Sequence, residues 1–160
     1  MTTRISVIIP TFNRAEMLCR CVQSVLDTKW PTLEIIIVDD CSPDDTGEKI
    51  KAQFGPDVRY IRNKKNSFQA ISRNNGAKIA TGDFLFFLDD DNIADKDIFR
   101  ELMRAFEGKP LAMTYPLATA FSKRRTTDAI AACSFTFIET RSATIGSAGS
   151  SSATLPTPFQ

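Results

Sequence analysis

The sequence predicts an α/β protein: an open, mostly parallel sheet with flanking helices. Three observations predict it. Short β-branched and aromatic runs alternate with longer stretches whose apolar residues recur at helical spacing. The run Phe84-Leu85-Phe86-Phe87-Leu88 is apolar without alternation, as a parallel strand buried on both faces is. Acids follow two such runs directly, as Asp39-Asp40 and as Asp89-Asp90-Asp91. Open α/β sheets bind ligands outside the carboxyl ends of their strands, so these positions gather the chemistry.

Ile5-Ser6-Val7-Ile8-Ile9 is the first strand, and Pro10, which cannot donate to a ladder, stands at its end. Asn13 with Glu16 three residues on has the form of a capping box, and Ala15, Leu18, Cys19, Val22, Val25 and Leu26 make one apolar face, so a helix is expected over 14–27. Trp30-Pro31 breaks it, and Leu33 to Val38 form a second buried strand. Ser42-Pro43-Asp44-Asp45 offers a cap, a proline suited to the first helical position and acids for the first turn, which predicts a helix running to Phe54. Gly55-Pro56-Asp57 is a turn, and Val58-Arg59-Tyr60-Ile61-Arg62 alternates as an edge strand does. A helix over 68–80 tolerates Gly76 if another chain segment must come close there. Thr81-Gly82-Asp83 then admits the strand 84–88. Phe99, Leu102, Met103 and Phe106 form one face of a last helix, stopped by Gly108 and Pro110, and residues 111–115 could add a strand. The alternation of strands and helices is that of a Rossmann-like sheet.

The chain of 160 residues divides into an α/β domain over 1–122 and an irregular or disordered tail over 123–160. Within the tail, residues 140–154 are almost entirely Ser, Thr, Ala and Gly, too little apolar surface to offset ordering entropy, and residues 129–138 fit a short helix or strand. A net charge of +1 gives no field for nucleic acid. No apolar run is long enough to span a bilayer, and the N-terminus does not read as a signal peptide, so a cytoplasmic location is expected. Cys19, Cys21, Cys41 and Cys133 lack metal-site spacing and there is no histidine, which favours idle or buried thiols.

Three carboxylates capping an apolar strand repel one another and require a cation or a solvated turn. A hard divalent ion, Mg²⁺ or Mn²⁺, suits two acids spaced one residue apart, since it keeps several waters and takes substrate phosphate oxygens as ligands.

Four segments together, SVIIPTFNR, IIIVDDCSPDDT, SRNNGA and FLDDDN, resemble the nucleotide-binding half of a family 2 glycosyltransferase of the GT-A fold. The resemblance covers residues 5–116. It implies transfer of a sugar from a nucleotide-diphospho-sugar, a UDP-sugar above all, to an acceptor hydroxyl on a saccharide or lipid-linked acceptor, as in cell-surface polysaccharide synthesis. Pro10, Thr11 and Phe12 would border the uridine, and Asp40 would accept from the ring N3 proton of uracil, a donor that cytosine lacks. Asp39 is left two roles, structural partner or ribose contact. Arg73 would face the nucleotide. Asp89 and Asp91 would be the metal pair of a D-x-D motif, with Asp89 and the intervening Asp90 also beside the donor. No carboxylate after Asn92 lies in a recognisable acceptor-side motif, so no catalytic base is assigned and the tail reads as a truncated or frame-shifted end. That reading leaves a non-catalytic nucleotide-binding remnant open and makes self-association through an uncovered apolar edge an expectation. A receiver-type Mg²⁺-binding domain is the other alternative, although its paired acids would follow the first strand.

Overall fold

The computed structural model describes residues 3–106 and the strand Thr136–Glu139. Its elements run in the order β1 (Ile5–Thr11), α1 (Ala15–Asp27), β2 (Leu33–Asp39), α2 (Thr46–Phe54), a 3₁₀ turn (Gly55–Asp57), β3 (Val58–Arg62), α3 (Phe68–Ile79), β4 (Phe84–Phe87), α4 (Ile98–Phe106) and β5 (Thr136–Glu139). They build one sheet of order β3-β2-β1-β4-β5, in which β1 to β4 are parallel and β5 pairs antiparallel to β4. The expected open, mostly parallel α/β sheet is therefore present.

Strand periodicity divides the core. Val7, Ile9, Ile35, Ile37, Phe86 and Leu88 point to one face, where they pack with Leu18, Val22 and Val25 of α1, Ile50 and Phe54 of α2, and Ile98, Phe99 and Leu102 of α4. Ile8, Ile36, Val38 and Phe87 point to the other, beside Ala77 and Ile79 of α3 and Ala80 just beyond it. Phe86 is fully buried edge-on against Phe99, with ring centroids 5.3 Å apart. Gly76 of α3 meets the sheet directly: a Cβ there would lie 2.5 Å from Cγ2 of Ile8. That is the close approach which a glycine inside a helix leads one to expect.

Several local expectations are corrected. Pro10 does not end β1 but lies within it, opposite Val38. Alternation turns its missing N–H toward the β4 side, where pairing stops at Ile8 and Phe87, so no ladder bond is lost. Asn13 is no cap: it takes a left-handed φ of 55°, and Arg14 is the N-cap of α1 with no side-chain bond. Ser42 does not open α2, which begins at Thr46, because its hydroxyl is committed to Asp39; Asp44 accepts from the Thr46 amide and hydroxyl instead. The edge character of β3 is as expected. The strand over 111–115 and the disorder over 140–154 lie outside the described residues, as do the domain boundary near residue 122 and Cys133. β5 falls inside the segment that carries no sustained periodicity. Among the described residues no helix is long and apolar enough to cross a membrane, and Cys19, Cys21 and Cys41 are free thiols.

Candidate functional site

The carboxyl ends of the parallel strands are stitched together beyond the ladders. The Asp40 amide donates to the Thr11 carbonyl at 2.8 Å, Leu88 donates to Ile8 at 3.0 Å, and Asn63 donates to Asp39 at 2.8 Å. Each loop then turns sharply. Asn13, Cys41 and Phe68 are all non-glycine residues at positive φ, 55°, 70° and 66°, a conformation that has to be held by its surroundings. The result is a cleft of about 210 Å³ lined by Pro10, Thr11, Phe12, Arg14, Asp40, Gln69, Ser72 and Asp90. Larger hollows lie elsewhere, one of 510 Å³ between α2 and β3 and one of 560 Å³ around Arg4, Glu34 and Arg59, but neither is lined by a strand-end acid. The smaller cleft is where charge, strain and the strand ends coincide.

The two acids after β2 differ in surroundings. Asp39 is fully buried and accepts from the Ser42 amide and hydroxyl and from the Tyr60 hydroxyl, and it forms an ion pair with Arg62 at 3.6 Å. These partners surround Asp39 inside the β2 end, behind the cleft rather than in its wall. Burial and the bond to Asp39 in turn raise the Tyr60 hydroxyl above its ordinary pKa. Asp40 forms part of the cleft wall. One oxygen accepts from Asn63 Nδ2 at 2.7 Å and the Ser67 amide at 2.9 Å; the other accepts from Phe68 at 2.7 Å and again from Ser67 at 3.0 Å. Burial alone would raise the pKa of this carboxyl, but the bonds from Asn63, Ser67, Phe68 and Ser72 outweigh it and hold the group below its ordinary value. Asp40 thus fixes the start of α3.

The acids after β4 spread across the rim. Asp90 turns inward, 5% exposed, and accepts from Thr11 Oγ1 at 2.7 Å and from Arg14 Nη1 at 3.2 Å. Burial pushes its pKa up despite these partners. Asp89 accepts on one oxygen from both Gln69 at 2.7 Å and Arg73 at 2.5 Å, side chains four apart on α3 and so on one helix face. Arg73 Nε is buried with no partner among the described residues. Asp91 points outward, its side chain 52% exposed, with Arg14 at 3.4 Å. Among the described residues no three His, Cys, Asp or Glu side chains form a ready-made metal cage. The donor chemistry still fits a hard divalent ion that takes few protein ligands, because Asp91 offers a carboxylate held only by a long, exposed contact.

Of the residues expected to share one crevice, Pro10, Thr11, Phe12, Asp40 and Asp90 line this cleft; Asp91 and Asp89 meet its lining through Arg14 and Gln69, Arg73 meets it through Asp89, and Asp39 is buried outside the lining. Sequence reasoning missed Arg14, Gln69, Ser72 and Asn63. In sequence Arg14 stands as the start of a helix and the last residue of SVIIPTFNR, with no side-chain role attached. Gln69 carries a usable signal, since it precedes Arg73 by one helical turn.

A family model described as "Glycosyl transferase family 2" matches residues 6–149. The chain is 35% identical over 104 residues to an uncharacterized glycosyltransferase, YibD, of Escherichia coli, covering 64% of this chain and 30% of that protein. It is 38% identical over 104 residues to the poly(ribitol-phosphate) beta-N-acetylglucosaminyltransferase TarP of Staphylococcus aureus, covering 62% of this chain and 32% of TarP. The crystal structure of S. aureus TarS 1-349 in complex with UDP-GlcNAc is similar with a TM-score of 0.60 at 27% identity, over 65% of this chain and 31% of that one. The chain spans about a third of the length of the curated relatives it matches.

Proposed function

The chain belongs to glycosyl transferase family 2, and from that premise we propose that it forms the donor-binding part of a glycosyltransferase, holding a nucleotide-diphospho-sugar, a UDP-sugar above all, with a divalent metal. The observation that carries this reading is the convergence of the β1, β2 and β4 ends on one cleft, with Thr11, Asp40 and Asp90 all 5% exposed or less. The cleft is smaller than the roughly 300–1,000 Å³ that encloses a drug-sized ligand, so it suits one end of the donor. The nucleoside would enter it, and the diphosphate would extend over the rim toward Asp91.

In this arrangement Pro10, Thr11 and Phe12 border the base, and Asp40 accepts its ring N–H. The Ser67 amide is shared between both Asp40 oxygens at 2.9 and 3.0 Å, so a base donor could take over the longer contact without leaving that amide unpaired. Asp90 and Thr11 supply polar contacts at the ribose side, and Arg73 lies on the same side through Asp89. Mg²⁺ or Mn²⁺ would be held by Asp91, with Asp89 beside it, and would neutralise the charge that develops on the departing nucleoside diphosphate. Asp89 itself fixes α3 against the β4 loop and so keeps Gln69 and Arg73 in place.

The likeness to TarP, a poly(ribitol-phosphate) beta-N-acetylglucosaminyltransferase, and to a GalNAc(5)-diNAcBac-PP-undecaprenol beta-1,3-glucosyltransferase supports a saccharide or lipid-linked acceptor, as in cell-surface polysaccharide synthesis. Acceptor recognition and the base that would deprotonate the acceptor are not assigned to any residue of this chain. Calorimetry with UDP, UDP-GlcNAc, GDP-mannose and CDP, each with Mn²⁺ and with chelator, tests the reading. Metal-dependent binding with UDP preferred over CDP is the expected result; equal affinity with and without chelator would remove the metal from the reading, and equal affinity for UDP and CDP would remove base reading by Asp40.

A further inference from the structure

Arg14 has no place in the elements that make up the core, yet its local backbone is tightly determined. It follows Asn13, a left-handed residue whose amide donates to Ser42 Oγ at 2.9 Å, and Ser42 is itself held by the buried carboxylate of Asp39. This relay from the β2 end aims the Arg14 side chain across the cleft rim. There one nitrogen, Nη1, lies 3.2 Å from Asp90 and 3.4 Å from Asp91. Both distances exceed the roughly 2.7–2.9 Å of a strong charge-assisted bond, and the Arg14 side chain remains 51% exposed. The contact neutralises two neighbouring acids without gripping either of them.

We propose that Arg14 is the resident cation of Asp90 and Asp91, and that a divalent metal reaches Asp91 by displacing its guanidinium, which is then free for the diphosphate. This rests on the donor-binding reading given above. A half-exposed guanidinium loses little by returning to water, and an exposed carboxylate with a long contact is readily taken over by an ion of higher charge. Guanidinium forks match phosphate oxygens and stay charged at any relevant pH. One residue therefore opposes the metal when the metal comes alone and supports the nucleotide once the metal is in place.

The two effects have opposite signs, which makes the exchange measurable. Arg14→Gln should bind Mn²⁺ alone about three- to tenfold more tightly than the parent in a titration followed by the paramagnetic resonance signal of free Mn²⁺, the scale of removing one exposed competing charge. The same variant should bind UDP more weakly at saturating Mn²⁺. Arg14→Lys, which keeps the charge, should stay within about twofold of the parent for Mn²⁺. Arg20→Gln removes an equal charge from an exposed position on α1 and should change neither affinity. Mn²⁺ affinity that is unchanged or weaker in Arg14→Gln, or absent from both parent and variant, overturns the exchange, as does an equal response to Arg20→Gln. A parent that binds Mn²⁺ but not UDP would overturn the donor-binding reading instead, while the Mn²⁺ arm still decides the role of Arg14.

Discussion

Replacing Asp40 by Asn tests the proposition that this acid holds α3 as well as lining the cleft. The carboxylate is 5% exposed and receives Asn63 Nδ2 and the amides of Ser67 and Phe68 at 2.7 to 3.0 Å, with the Ser72 hydroxyl beside them. An amide keeps one accepting oxygen and turns an NH₂ group toward donors that previously met the second. One charge-assisted bond, worth about 1.5–3 kcal/mol, becomes neutral, and one buried donor loses its partner at a further cost of about 1–3 kcal/mol. Water entering from the cleft recovers part of this, so we expect a net loss of about 2–3 kcal/mol in urea unfolding at pH 7. For a domain of this size that corresponds to a fall in Tm of about 10 °C. The pH dependence carries the sign. Because the folded pKa of Asp40 lies below its ordinary value, its contribution is fully present above the ordinary carboxylate pKa and is lost as pH falls through that value and then through the depressed one. The gap between parent and variant should therefore close in acid, starting below about pH 4. A difference under about 0.5 kcal/mol at pH 7, or a gap that widens in acid, would refute the anchoring role.

Gly76→Ala gains helix propensity worth up to about 1 kcal/mol, but its Cβ would meet Ile8 at 2.5 Å and Val38 at 3.1 Å, so overpacking should win with a net loss of about 1–3 kcal/mol in thermal unfolding. Tyr60→Phe removes a hydroxyl bond to the fully buried Asp39 and should cost about 1–3 kcal/mol, read in the same assay; an unchanged Tm would show that Ser42 and Arg62 satisfy Asp39 alone. Asp91→Asn should weaken Mn²⁺-dependent UDP binding at least about tenfold in calorimetry, the scale of losing one metal ligand's charge, whereas Asp57→Asn, an exposed acid at the opposite end of the sheet, should leave it unchanged.

The local sequence determined the strands and the side of the sheet on which the chemistry falls. Ile35-Ile36-Ile37-Val38 and Phe84 to Leu88 are apolar on both faces, which only strands covered on both sides tolerate, and acids directly after them could lie only at the carboxyl ends. Gly76 was legible as a close approach for the same local reason. Tertiary structure decided which polar group meets which. Asn13 and Ser42 have the composition of helix caps, but Ser42 is drawn to a buried carboxylate three residues back, and the Asn13 amide is drawn to Ser42, 29 positions away in sequence. Local capping rules see neither partner. Local sequence also gives adjacent acids no distinct surroundings, yet the backbone turned Asp39 and Asp90 inward to Tyr60 and Thr11, left Asp91 outward, and gave Asp89 to α3. Burying a charge is tolerated only where donors converge on it. Those donors come from separate strands and helices, so only their assembly around the sheet could decide which acid is held inside the fold and which is left exposed at its rim.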